Sequence, residues 1–170
     1  MAATATWQFS LSTAAASVWS DLASGILQFK KANDNNNDLA NPLVRPSNGQ
    51  FDWSWKKGLR LKITGTFSQL QSLLLVLQGA NPTGVAWYHK FYTPVAYDAL
   101  SPILAQAVTG DDSSFTTLSA SQPWSNAATI TSAQATGWGD WLQMYIRVAD
   151  SVSPGEMTSQ NLVAQYDEIP

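Results

Sequence analysis

Apolar and polar residues alternate with a period of two along most of this chain, the pattern of strands that bury one face. Trp7, Phe9 and Leu11 alternate with Gln8, Ser10 and Ser12. Phe51, Trp53 and Trp55 are spaced by Asp52 and Ser54, and Leu59, Leu61 and Ile63 by Arg60 and Lys62. The clearest run is Leu142, Met144, Ile146 and Val148, interleaved with Gln143, Tyr145, Arg147 and Ala149. Residues 85–92 place Trp87, His89 and Phe91 on one face and Tyr88, Lys90 and Tyr92 on the other. Segments 26–29, 115–118 and 161–166 are shorter candidates. Residues 73–77 are apolar at every position, which predicts a central strand covered on both sides.

Turn chemistry separates these runs: Asn48-Gly49, Lys57-Gly58, Asn81-Pro82, Gly110-Asp111 and Pro154-Gly155. Only 14–23 and 97–108 read as helical, and Pro102 interrupts the second. Many short strands with Gly and Pro between them predict an all-β fold. We expect a two-layer antiparallel β-sandwich, jelly-roll or immunoglobulin-like, with at most one or two short helices. One domain spans residues 1–170. Within it, about 31–50 is rich in Asn, Asp and Pro and lacks an apolar period, so it predicts a long exposed loop that serves as a contact arm.

Composition changes the picture at the surface. Charged residues make up 12% of the 170 residues, about half the usual share, so Ser, Thr, Asn and Gln must form most of the exterior. Such a surface loses little hydration when covered, which suits lasting protein contact. The net charge of -3 argues against a nucleic-acid partner. No apolar run is long enough to span a bilayer as a helix, so no membrane partner is expected. Cysteine is absent, which removes disulfides, zinc–thiolate sites and a thiol nucleophile.

Candidate chemistry is sparse. His89 is the only histidine, it lies in an aromatic strand, and no Gly-x-Ser-x-Gly elbow accompanies it. The acid pairs Asp111-Asp112 and Asp167-Glu168 are chain neighbours, and neighbours in a strand point to opposite faces. No catalytic residue and no cofactor is therefore expected. Asp34, Asn36 and Asp38 have the spacing that opens a calcium loop. That pattern then needs Gly where Leu39 stands and Glu where Arg45 stands, so no metal is assigned. Asp34, Asn36, Asp38 and Arg45 are instead candidate partner contacts.

Eight tryptophans are unusual for this length. Trp7, Trp53, Trp87 and Trp141 lie on strand faces and are expected to pack inward. Trp19, Trp124 and Trp138 lie near turns, and Trp19 and Trp124 complete the set of candidate partner contacts.

Several segments, in order, resemble a known kind of protein: Gly25-Ile-Leu-Gln-Phe-Lys-Lys-Ala-Asn33, Asn41-Pro-Leu-Val-Arg-Pro46, and Trp55-Lys-Lys-Gly-Leu-Arg-Leu-Lys62. Gln78-Gly-Ala-Asn-Pro82, Asp150-Ser-Val-Ser-Pro-Gly155 and Tyr166-Asp-Glu-Ile169 follow. Together they resemble the small β-sandwich virion structural proteins of tailed bacteriophages that decorate or cement a capsid. The resemblance implies a protein made in the host cytoplasm and placed on the capsid surface. It further implies the major capsid protein as partner, assembly as a dimer or trimer, and no catalytic residues. Deleting 31–48 is then expected to weaken particle association while the domain still folds. The alternative is a carbohydrate-binding β-sandwich, for example on a tail or fibre, using exposed tryptophans as stacking platforms. A glycosidase is a weaker third option.

Overall fold

Residues 3–13, 18–22, 25–36, 38, 40–79, 81–92, 106–118, 121–123, 129–131, 141–153 and 160–169 of a computed structural model are described. Eleven strands form among them: β1 (Thr4–Ser10), β2 (Ser20–Asp21), β3 (Phe51–Trp53), β4 (Lys57–Thr64), β5 (Gln69–Gln78) and β6 (Val85–Tyr92). The rest are β7 (Thr116–Thr117), β8 (Ser121–Pro123), β9 (Thr129–Thr131), β10 (Trp141–Ala149) and β11 (Asn161–Ile169). All their pairings are antiparallel. A seven-stranded sheet has the order β2-β1-β4-β10-β6-β7, with β3 also on β10. A four-stranded sheet has the order β11-β5-β8, with β9 also on β5. The two pack face to face as a β-sandwich. No helix occurs among the described residues, and the parts of both helix candidates that are described are extended or irregular.

Alternation accounts for the core. Leu59, Leu61 and Ile63 of β4 meet Leu142, Met144, Ile146 and Val148 of β10, and Val85 and Trp87 of β6. From the smaller sheet Leu70, Leu73, Leu75 and Leu77 of β5 face them, flanked by Leu162, Ala164 and Tyr166 of β11. β5 keeps Leu70 and Leu73 both inward through an extra residue: the register against β11 shifts between Gln165 and Asp167, and Ser72 opposite takes φ 55°. This is a β-bulge. It also revises the expectation for 73–77, because Leu74 and Val76 on the other face are only half-buried.

A second bulge places the functional surface. β10 pairs with Lys57–Leu59 on one register and with Phe51–Trp53 on a register one residue away. Three residues, Ser54, Trp55 and Lys56, therefore oppose two. Ser54 holds the junction: its N–H donates to the Ile146 carbonyl, and its Oγ accepts from the Ile146 N–H, both at 2.9 Å. Trp55 N–H donates instead to the Lys30 carbonyl, and Lys56 N–H to that of Gln106. The shift reverses the phase, so Trp53 stands opposite Arg147 on the outer face while Lys57 stands opposite Met144 on the inner one. Segment 26–29 is a loop rather than a strand.

The outer face of the large sheet is itself covered. Trp141 and Tyr145 point away from the main core yet are 1% and 0% exposed. Trp19 packs on Trp141, with the Arg60 guanidinium 4.4 Å from the Trp19 ring centre. Tyr145 stacks on Tyr88 and meets Phe115 edge-on. Of the four tryptophans expected inward, Trp7 and Trp87 join the core, whereas Trp53 and Trp141 belong to this outer layer.

Candidate functional site

The loop between β2 and β3 consists of an anchored part and an exposed part. In the anchored part, oxygens converge on two lysine ammonium groups. Lys30 Nζ lies 2.6 Å from Asp34 Oδ1 and 2.8 Å from Asp38 Oδ1, and donates to the Asn36 carbonyl at 3.3 Å. The oxygens that open a calcium pattern in the sequence are thus gathered around a side-chain cation of the same loop. The Lys30 ammonium holds both carboxyls below the usual aspartate range, and their bonds raise the lysine in return. Lys57, fully buried beneath, donates to the carbonyls of Gln28 and Asp34. Burial pushes its pKa down to about 8, against the pull of Asp34 and with the push of Lys30.

The exposed part, residues 40–51, is a strip with only Leu43 and Pro46 half-buried. It is pinned from beneath by two aspartates. Asp52 accepts the Val44 N–H at 2.9 Å and the Lys31 ammonium at 2.9 Å. Asp150 accepts the Gly49 N–H at 2.6 Å, and its carbonyl accepts Arg45 Nε at 2.7 Å. Lys31 N–H donates to the Asn41 carbonyl, closing the base. Two large apolar residues stand out of this strip, Val44 at 50% and Phe51 at 41% exposure.

Phe51 continues onto the sheet. The Arg147 guanidinium lies 4.4 Å from the Phe51 ring centre and 5.2 Å from that of Tyr88, a cation between two aromatic faces. Arg147 also pairs with Asp111, whose other oxygen accepts Trp53 Nε1 at 3.1 Å. Beyond lies an open depression of about 410 Å³ lined by Lys56 and residues 106–113. Its two acids are engaged within the protein. Asp111 holds Arg147 and Trp53, while Asp112 bonds Lys56 and its own turn at Ser114, which holds its carboxyl far below the usual range.

Compared with known proteins, the chain matches no family model, no curated protein and no solved structure.

The candidate residues separate accordingly. Asp34, Asn36 and Asp38 come together, on Lys30. Arg45 belongs to the exposed strip, tied to Asp150. Trp19 lies elsewhere, its ring between Trp141 and Arg60. Trp124 and Trp138 lie outside the described residues. Sequence reasoning missed Val44, Phe51 and Arg147. An exposed Val in Asn41-Pro-Leu-Val-Arg-Pro46 was a usable signal, since the prolines deny this segment a strand. His89 is buried on the inner face, edge-on to Phe91, and burial lowers its pKa. Among the described residues no three His, Asp or Glu side chains are placed to hold a metal.

Proposed function

We propose that this protein is a non-enzymatic structural protein of a bacteriophage virion, which binds the outside of the capsid and stabilises it as a cement or decoration protein. The observation that carries the reading is the pinned strip 40–51, with Val44 and Phe51 exposed, in a chain with few charged residues. A segment held in place by Asp52 and Asp150 before contact has little conformational freedom left to lose on binding. Its two apolar side chains are anchors for a complementary pocket, and the surrounding amides and hydroxyls supply a polar rim. The resemblance to virion proteins names the partner, the major capsid protein. A protein that binds the assembled shell and not loose subunits stabilises the shell by mass action.

Immunogold electron microscopy of purified virions tests the assignment. Gold on the head surface is expected, and gold confined to the tail, or none on the particle, ends the reading. Re-binding to heads lacking the protein then tests the strip: Val44→Ser and Phe51→Ser should each weaken it by about tenfold, with melting unchanged for Val44→Ser and slightly lower for Phe51→Ser, which loses its contact with Arg147. The carbohydrate-binding alternative rests on Phe51 and Trp53 beside the depression at 106–113. A saturable tryptophan-fluorescence shift on adding polysaccharide, without head binding, would replace the capsid reading with that one.

A further inference from the structure

The smaller sheet ends in a strand that invites a partner. β11 is nine residues long and pairs with β5 along one edge; among the described residues no strand pairs with its other edge, and the Ala3 N–H donates to the Glu168 carboxylate at its end. Among the described residues the other strands that end a sheet are short: β2 and β7 have two residues each, β8 and β9 three. A long unpaired edge is a template for further pairing, and proteins that do not use one blunt it with proline, lysine or a bulge. β11 contains no proline and no lysine, and the bulge in its pairing lies on β5.

We propose that β11 is a dimerisation edge, and that its occupant is β11 of a second copy, antiparallel across a two-fold axis. Charge selects that arrangement. The only charged residues of β11 are Asp167 and Glu168, at one end. A parallel pairing in register would stack acid on acid, which opposes association. Antiparallel pairing with all nine residues overlapped puts Gln165 opposite Gln165, Asp167 opposite Val163 and Glu168 opposite Leu162. The acids then sit at opposite ends of a ladder roughly 30 Å long. Gln165 is exposed, so two amides can bond each other across the axis. The half-buried Leu74, Val76 and Val163 of one sheet would continue into the same residues of the other. One strand pair covers less than the ~1,600 Å² of a standard interface, so the dimer is reversible.

The test needs no virion, so its failure and that of the capsid reading are distinguishable. Sedimentation equilibrium on the whole chain should show a monomer–dimer equilibrium that shifts with concentration. Gln165→Lys and Gln165→Glu, each alone, should weaken it by about fivefold by placing like charges face to face. Mixing the two in equal amounts should restore it. Hydrogen exchange should show β11 amides gaining protection as concentration rises. A parent that stays monomeric at millimolar concentration, or charge variants that associate like the parent, would overturn the proposal. So would equal exchange of β11 at all concentrations.

Discussion

Lys30 of the loop between β2 and β3 and Lys57 of β4 both bond that loop's oxygens and respond oppositely. Lys57 is buried, and its folded pKa of about 8 lies below the ordinary 10.5. Between those values the unfolded chain holds a proton that the folded one has released, so stability rises with pH across that window. The gain is at most about 3 kcal/mol. Urea unfolding from pH 7.5 to 10.5 should show the rise, and Lys57→Met should abolish it. Lys30 is raised by its two carboxylates, which are lowered in turn. In Lys30→Gln the Asp34 and Asp38 carboxyls should titrate closer to 3.8, which carbon-detected NMR reads directly. The lowered acids contribute stability that is lost as pH falls through their folded values. The spacing of Asp34, Asn36 and Asp38 was legible only as the opening of a calcium pattern that fails at Leu39 and Arg45. That a lysine supplies the cation was not, because a ligand pattern records spacing and not what fills it.

At the scale of elements, the decisive feature is the bulge at 54–56. The sequence suggests a turn at Lys57-Gly58, yet both residues lie in β4, and the two apolar runs it would have separated face opposite ways, Phe51 and Trp53 outside and Leu59 to Ile63 inside. One extra residue reverses every later side chain. Ser54 closes the gap by taking the Ile146 N–H. Ser54→Ala leaves that buried donor without its acceptor and should cost about 1–3 kcal/mol in chemical denaturation. The turn before β6 has a comparable constraint. Gly84 has φ +82°, and a Cβ there would lie 2.6 Å from the Val152 nitrogen. Its carbonyl accepts the Ala149 N–H, tying the turn to the end of β10. Gly84→Ala should lower stability by about 2–3 kcal/mol, measurable as a lower melting temperature.

For the molecule as a whole, the loop between β2 and β3 is both fold and surface. Deleting 31–48 removes Asp34, Asp38 and the Asp34 carbonyl, and leaves the Lys30 and Lys57 ammonium groups buried without them. Contrary to the expectation from sequence, that deletion should cost about 3–5 kcal/mol, seen as a large fall in melting temperature. A single substitution at Val44 touches only the exposed strip and is the cleaner probe of binding, whereas one at Phe51 also removes the ring beside Arg147.

The sequence by itself determined the class of the molecule. Period-two alternation and turn residues act between near neighbours, and they were enough to imply two antiparallel sheets, most of the strands and a long loop at about 31–50, of which 40–50 is the exposed part. Tertiary structure alone decided which face each strand presents and what lies over it. Only pairing with β10 shows the shift at Ser54, and only packing puts Trp141 and Tyr145 beneath a second aromatic layer. The reason is one of range. Alternation says that a strand has two unlike faces, whereas the contacts that assign those faces join residues about ninety positions apart, as Ser54 and Ile146 are.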